Sequence, residues 1–570
     1  MYLCGLYNFT CLAPKRSMLR RFFRVLFYTI GVLLLLLTGL IIYVVSVSHI
    51  DPPKIANMQA LQLQRTQLDT NCYTIGNNWF RKSRSGLYEM YVEGEPFDRG
   101  VIYGKLSAEL VKRQEDNFTE QIRKMVPSNI YQHFLKYFIG WFNRHLSDNV
   151  AEEFKDEIYG VSFSASDDYG YIGTKYERLM NYHAAHDIGH ALQSMALVGC
   201  TSFATWNNRS ADSTLIVGRN FDFYVGDKFA EDKIVAFYHP SAGYRFMMVT
   251  WAGFTGVVSG MNEEGLTVTI NADKTSIPSG AATPVSLVAR EILQYAKNID
   301  EAWAIAHRRK MFVSESFLIG SAADNRAVVI EKTPDSMDMY APNNNYITCT
   351  NHFQGPQLSK LASNEQQVRE SASEYRYERL NELLGADASN TVQKTVDILR
   401  DRYGLHNENI GIGNEKALNQ FIAHHSIVFE PQKRLVWVST APWQLGRYVA
   451  YDLNKIFAMH GLHSNTEVSD SALDIAPDTF LNTREFKDFM VFRKMKQQMQ
   501  EGQDIDIPLF VSLNPNFYHT YALAGDYEFK HGNKAQAKVY YETALTKVIS
   551  TKGEEDKIRK MIVKCKTPNP

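Results

Sequence analysis

The segment Gly199-Cys200-Thr201-Ser202, followed later by Gly218-Arg219-Asn220-Phe221-Asp222-Phe223, marks a change in this chain from helical to β character. A cysteine set between glycine and hydroxyl residues at such a change is a candidate nucleophile, although buried cysteines commonly act as inert small hydrophobes. The second segment brings a cation and a carboxylate, Arg219 and Asp222, toward that cysteine. Strict strand alternation would place those two side chains on opposite faces. Their joint use therefore requires a bulge or turn near Gly218, which a glycine permits.

Upstream, residues 86–199 carry helical periodicity, clearest over 101–142. Downstream, 215–217, 234–238, 246–251, 255–259 and 266–270 are expected as short strands separated by turns. Leu266, Val268 and Ile270 alternate with Thr267 and Thr269, a half-buried strand that ends at Asn271. Helices are expected at 288–297 and 301–309, then hairpins pairing 317–320 with 327–331 and 426–429 with 435–439. Strands, helices and further strands in that order indicate an α+β fold, not a doubly wound parallel sheet.

Residues 25–49 contain no Asp, Glu, Lys or Arg. That is long enough to cross a bilayer as a helix, which takes roughly 20 apolar residues. Lys15, Arg16, Arg20, Arg21 and Arg24 precede it, so the positive-inside bias puts 1–24 in the cytoplasm and the remainder on the extracytoplasmic side. The apolar stretch exceeds a signal peptide's, and no small-residue cleavage pattern follows, which favours an uncleaved single-pass anchor. Met18 is an alternative start, since residues 1–17 carry no structural pattern. Asp51-Pro52-Pro53 stops the helix, and 50–85 is expected as a polar linker with some helix. A catalytic domain is expected over 200–455, then a second linker over 456–505. In the tail, 506–570, Tyr521, Gly525, Gly532, Ala537, Tyr541, Ala544 and Leu545 fall where a tetratricopeptide helix pair places its packing residues. One such repeat is visible, and a solenoid needs about three. A helical hairpin packed on the catalytic domain is expected, with a partner-binding module as the alternative.

The 570-residue length fits two or three domains, and 45% apolar residues suffice for a sizeable core. With 61 basic and 62 acidic side chains, no basic excess points to a nucleic-acid partner. Six cysteines make no disulfide framework, no CxxC pair suggests zinc, and no cofactor is called for. One rival metal motif exists. His183, His186 and His190 share a helical face, and His186-Asp187-Ile188-Gly189-His190 resembles a zinc-protease helix. The general-base Glu is an Asp there, and no clear carboxylate ligand follows. These histidines fit a helical segment covering the candidate site better than a metal centre, while His352, His424 and His425 are taken as structural.

Five pieces in order carry a family resemblance: Gly199-Cys200-Thr201-Ser202, Gly218 to Phe223, Met261-Asn262-Glu263-Glu264-Gly265-Leu266-Thr267-Val268-Thr269-Ile270-Asn271, Cys349-Thr350-Asn351-His352-Phe353 and Ser373-Glu374-Tyr375-Arg376. Together they resemble the penicillin-acyltransferase-like family of N-terminal-nucleophile hydrolases and, more distantly, the bile salt hydrolases and acid ceramidase. Gly94-Glu95-Pro96-Phe97-Asp98-Arg99-Gly100, with Gly104, is similar to the family's opening segment. The resemblance covers about residues 86–455.

It implies a four-layer αββα sandwich and a precursor that cuts its own Gly199–Cys200 bond, leaving Cys200 as a new N-terminus. A free α-amino group titrates at about 7.7–8.0, against about 10.4 for lysine. The new amine can thus take the thiol's proton. Gly199, lacking a side chain, favours the thiol's approach to its own carbonyl. By resemblance Cys200 is the nucleophile, Arg219 matches the arginine of the bile salt hydrolases, and Asp222 orients the amine. Asn271 and Asn351 match oxyanion donors or substrate-amide contacts, and Arg376 matches a late family arginine. Without the family match, an asparagine at a strand end is ordinarily a turn residue. The family handles penicillins, conjugated bile acids, ceramides and N-acyl amines, and an anchor at a membrane favours a lipid-like amide. Hydrolysis and transfer differ only in what resolves the thioester. The alternative is a non-catalytic membrane-tethered scaffold that binds a protein partner through its helical tail.

Overall fold

Short alternating segments on both sides of Cys200 pair into two sheets, and the strand period of two sorts their side chains between opposite faces. The computed structural model describes residues 15–566 apart from 126–127, 193–198, 225, 275–281, 312 and 387–388. The strands before Cys200 are β1 (Thr66–Asp69), β2 (Cys72–Ile75), β3 (Asn78–Lys82) and β4 (Tyr88–Gly94). After it come β5 (Thr201–Asn207), β6 (Ser213–Phe221), β7 (Ile234–Pro240), β8 (Phe246–Thr250), β9 (Ser259–Asn262) and β10 (Leu266–Ala272). The remainder are β11 (Glu315–Ser321), β12 (Arg326–Lys332), β13 (Met337–Tyr340), β14 (Tyr346–Cys349), β15 (His425–Glu430), β16 (Leu435–Ser439) and β17 (Tyr448–Asp452). One sheet runs β1-β2-β3-β4-β7-β8-β9-β10-β11-β12-β13, the other β14-β5-β6-β15-β16-β17.

The apolar faces stack these sheets. Leu266, Val268 and Ile270 of β10 join Phe317 and Ile319 of β11 against Val288, Ile292 and Ala302, which belong to helices Val285–Tyr295 and Ile299–Arg308. Leu318 of β11 points the other way and meets Val217, Ile427 and Phe429 of the second sheet. On that sheet's far face, Ile216 and Val428 pack on Leu380, Leu384, Val396 and Leu399, from helices Ser373–Ala386 and Val392–Leu399. The packing order is helix, sheet, sheet, helix. The fold is mixed α+β, as the element order in the sequence indicates.

Several boundaries differ from expectation. Residues 50–85 do hold a short helix, Gln59–Gln62, but they also carry the strands β1–β3, and 86–199 opens with β4 before turning helical. The left-handed turns at Asn71 and Gly76, with φ of 60° and 58°, break this stretch into strands too short to show periodicity. β2 and β3 nonetheless bury Cys72, Ile75, Trp79 and Phe80, while Leu68 of β1 is exposed, and Trp79 stacks on Tyr91 at 6.2 Å. Because β4 runs parallel to β7, the larger sheet is built from both sides of the Gly199–Cys200 bond, and a catalytic domain starting at 200 is too narrow. The strand expected at 255–259 begins only at Ser259. The linker expected at 456–505 contains the helix Arg484–Gln500, which buries Phe489, Phe492 and Met495.

The C-terminal helices Ile507–Leu513, Tyr518–Lys530, Lys534–Ala544 and Lys552–Lys566 follow. Gly525 lies so near Tyr541 that a Cβ there would sit 2.6 Å from the ring, which explains the small residue in that helix pair. Their core includes Ile412, Phe421 and Leu445, so the tail packs on the body of the protein. At the other end lies the helix Lys15–Val47. Its stretch Arg20–Val47 is long and apolar enough, by length and composition, to cross a membrane.

Candidate active site

Cys200 lies immediately before β5, and the pairing register assembles its surroundings. Ser202 stands opposite Arg219 of β6 on one side and opposite Cys349 of β14 on the other. Asp222 directly follows the last residue of β6, and Asn351 lies just past the end of β14. Asn271 comes from β10 of the other sheet, joined across by a 3.0 Å bond from Ser202 Oγ to its Oδ1. The helix Ser373–Ala386 supplies Arg376. All six expected side chains are thus brought together, each no more than 2% exposed.

No bulge at Gly218 is involved. β6 stays in register with β15 from Val217 to Phe221, and Asp222 escapes strand alternation because it lies beyond the strand's end. Gly218 has a packing reason instead, since a Cβ there would meet Thr395 Cγ2 at 2.5 Å.

On the thiol side, Arg219 Nη2 lies 3.6 Å from Cys200 Sγ. Its Nη1 donates to Val258 O and Ser259 Oγ and its Nη2 also to Ile270 O. Nε has no hydrogen-bond partner among the described residues, and the guanidinium lies 4.4 Å over the Phe221 ring. Burial pushes the Cys200 thiol up to about 11; Arg219 opposes that shift, while Asp222 and Glu315 add to it. In this environment Cys200 is therefore protonated and weakly nucleophilic. Burial also raises the Asp222 carboxyl to about 7, against the pull of Arg376 and Arg219. Neither Asp222 oxygen has a hydrogen-bond partner among the described residues, and the same holds for both Glu315 oxygens. Buried carboxylates ordinarily have partners, so such exceptions require explanation.

The carbonyl side is crowded with donors. Arg376 Nη1 donates to Gly199 O at 2.9 Å, Cys200 O at 2.7 Å and Thr201 Oγ1 at 2.9 Å. Its Nη2 donates to Asn351 Oδ1 at 2.7 Å. Gln420 Nε2 donates to Gly199 O at 2.8 Å. Asn351 Nδ2 is bonded to Ala272 O at 2.8 Å, and Asn271 Nδ2 to Cys349 O at 3.2 Å and Thr350 O at 2.9 Å. To serve an oxyanion, Asn271 must release one of its two backbone carbonyls, whereas Asn351 Nδ2 has a second N–H beside its bond to Ala272 O.

Sequence reasoning missed Ser202, Ser373, Glu315 and Gln420. Ser373 Oγ accepts from Asn351 N at 2.8 Å and lies 2.8 Å from His352 Nδ1, so it positions Asn351 from the helix that carries Arg376. No local motif marks Glu315 or Gln420; only the fold brings them near. Of the rival histidines, His183 is committed to Leu179 O at 2.8 Å and Thr255 Oγ1 at 3.1 Å. The side chains of His186 and His190 lie outside the described residues. His424 and His425 are buried and bonded to each other at 2.9 Å, and His425 reaches Ser259 Oγ at 2.8 Å.

Comparison with known proteins adds a second line of observation. An uncharacterized protein of Archaeoglobus fulgidus is 23% identical over 406 residues, 63% of this chain and 65% of that protein. Protein dcd1A of Dictyostelium discoideum is 24% identical over 239 residues, 38% of this chain and 51% of that protein. The chain therefore spans less than two thirds of the length of either relative. Among solved structures, a Caenorhabditis elegans N-acylethanolamine-hydrolyzing acid amidase ortholog is 19% identical, with 41% of this chain and 93% of that chain covered and a TM-score of 0.30. A mutant conjugated bile acid hydrolase from Clostridium perfringens is 14% identical, with 48% and 96% covered and a TM-score of 0.30. Residues 206–442, which draw on both sheets, match the family described as acyl-coenzyme A:6-aminopenicillanic acid acyl-transferase.

Proposed function

We propose that this chain is a membrane-anchored, self-processing cysteine amidohydrolase or acyltransferase of the N-terminal-nucleophile type, with an αββα sandwich. The observation that carries this reading is the pair of unlike environments around one peptide bond. Gly199 O is held by Arg376 and Gln420, while the adjoining Asp222 carboxylate is buried without a hydrogen-bond partner among the described residues. Cutting the bond would create an α-ammonium on Cys200, the cation that such a carboxylate would accept. That amine, with an ordinary pKa of about 7.7–8.0, is a suitable base for the thiol near neutral pH. Asp222 holds it in place, Arg219 steadies the thiolate, and Asn271, Asn351 and Arg376 serve the acyl oxygen.

The substrate is an amide of a small or lipid-like acyl group. The match of residues 206–442 to an acyl-transferase family supports the bond type. Aromatic rings beside the site support an apolar acyl group: Phe221 stacks on Phe223 at 5.7 Å, Phe229 meets Phe223 at 5.8 Å and Trp251 at 5.0 Å. The N-terminal helix would hold this site at a membrane, on the extracytoplasmic side.

The decisive experiment is gel analysis and N-terminal sequencing of purified protein. Fragments 1–199 and 200–570 should appear, the larger beginning Cys-Thr-Ser-Phe, and both should be retained through one affinity tag because they share a sheet. An active preparation that remains one intact chain overturns this function, since no α-amine would exist to act as base. Cleaved protein should then be assayed against a panel of N-acyl amides.

A further inference from the structure

Resting on the self-cleavage proposed above, we infer that Gln420 is a catalytic donor dedicated to that cut, not to turnover of external amides. The reaction requires the Cys200 sulfur to attack the Gly199 carbonyl carbon. A C–S bond forms, the carbonyl oxygen becomes an oxyanion, and the C–N bond to Cys200 then breaks. The thiol's proton ends on the departing nitrogen, leaving a thioester and a free α-amine. Water hydrolyses the thioester, giving the Gly199 carboxylate and restoring the thiol. Two donors already grip the oxygen on which negative charge develops, Arg376 Nη1 at 2.9 Å and Gln420 Nε2 at 2.8 Å. Preorganised donors at that point lower the barrier most.

The two donors differ in what else they hold. Arg376 also binds Cys200 O, Thr201 Oγ1 and Asn351 Oδ1, all of which remain beside the nucleophile once the bond is cut. Among the described residues, the Gln420 side chain makes one hydrogen bond, to Gly199 O, which belongs to the other fragment after cleavage. Its placement is enforced from both neighbours. Asn419 N donates to Asp401 O at 2.8 Å, fixing one side. Phe421 adopts φ of 58°, a left-handed conformation that is unfavourable for so bulky a residue. It is held there by edge-on packing against Phe489 at 5.0 Å and Trp443 at 5.5 Å. Strain kept in place by surrounding packing is characteristic of functional positions. Here the helix Arg484–Gln500 supplies Phe489, so the segment leading into the tail would support the cut.

Gly199 provides a second handle on the same contact. A Cβ at Gly199 would lie 2.4 Å from Gln420 Nε2 and 2.5 Å from its Oε1, so a side chain there must push the amide aside. Gly199→Ala should therefore imitate loss of Gln420.

The test follows the cut by gel in freshly synthesised full-length chain, and turnover per titratable Cys200 thiol in the cleaved fraction. Gln420→Ala and the near-isosteric Gln420→Glu should each slow cleavage by about 10²-fold, the cost of one oxyanion donor. Turnover per cleaved site should stay within about twofold of wild type. Gly199→Ala should slow cleavage comparably, and adding it to Gln420→Ala should cost little more, because both remove one interaction. Thermal melts in the Cys200→Ala background separate a folding defect from a chemical one. Cleavage of both Gln420 variants at the wild-type rate overturns the inference, as does an equal fall in cleavage and per-site turnover. A wild-type chain that is active and never cleaved overturns the underlying function as well.

Discussion

The two sides of the Gly199–Cys200 bond are furnished in opposite ways. The carbonyl side is saturated, with Arg376 and Gln420 on Gly199 O and Arg376 again on Cys200 O. The thiol side is sparse, with one N–H from Arg219 at 3.6 Å and the unpartnered Asp222 carboxylate nearby. A site built only to stabilise the uncut chain would satisfy both sides equally. The asymmetry fits a chain prepared for the cut on one side and for its product on the other. Under the proposed self-cleavage the carbonyl donors would act first, and Asp222 would complete the site afterward.

The largest effect should come from the shared atom. Cys200→Ala removes the nucleophile of both stages, so cleavage and amide turnover should vanish together. The folded, uncleaved protein should be recovered, since the change is small and local. Turnover by this variant would remove the link between the two sides. Next comes Asn351→Ala, expected to lower kcat by about 10²–10³ with little change in KM, as for a donor acting mainly in the transition state. An effect confined to KM would move Asn351 from the oxyanion to substrate binding.

Asp222→Asn sharpens the comparison from the sparse side. It removes the carboxylate that would hold the new ammonium, so the amine should lose its proton more readily. A neighbouring opposite charge typically shifts such a group by about 1–3 units. The acid limb of the kcat/KM profile should move to lower pH by about one unit, with a lower plateau. An unchanged limb would mean that Asp222 does not face the amine. Phe489→Ala tests the remote support of the saturated side: loosening Phe421 should slow the cut several-fold while per-site turnover is kept.

How far the sequence disclosed this arrangement depends on the kind of signal. Leu266, Val268 and Ile270 showed their strand because one face is apolar and the other carries threonines. The hairpins of β11–β12 and β15–β16 were legible for similar reasons. β1–β3 were not, because strands of four or five residues broken by left-handed turns give too short a pattern. Cys200, Arg219, Asp222, Asn271, Asn351 and Arg376 emerged from ordered motifs, and the structure gathers them in one place. Gln420 and Glu315 stand in no motif. Gln420 is delivered by an irregular segment pinned by distant aromatic rings, and Glu315 by opposing Ala272 across the β10–β11 ladder. The supposed bulge at Gly218 failed because alternation applies only within a strand, and Asp222 is already outside it.

The smallest effect concerns stability and separates the two sides by pH. In uncleaved Cys200→Ala protein, burial raises Asp222 to about 7, whereas an unfolded aspartate titrates at about 3.9. Between those values the folded chain keeps a proton that the unfolded chain has released. Stability therefore falls as pH rises through this window. Glu89 and Glu331, also raised by burial to about 7, contribute in the same direction. Replacing Asp222 by Asn in the Cys200→Ala background removes one of these contributions. The melting temperature should then drop less between pH 5 and pH 8, by about a few degrees at most. Cleaved wild-type protein should behave differently, because an ammonium beside Asp222 favours the ionised carboxylate and cancels its upward shift. Over the same range its melting temperature should fall less steeply than that of the uncleaved variant. Parallel curves for the cleaved and uncleaved proteins would mean that the cut leaves Asp222 unpaired, and the division of labour across the bond would fail on its sparse side.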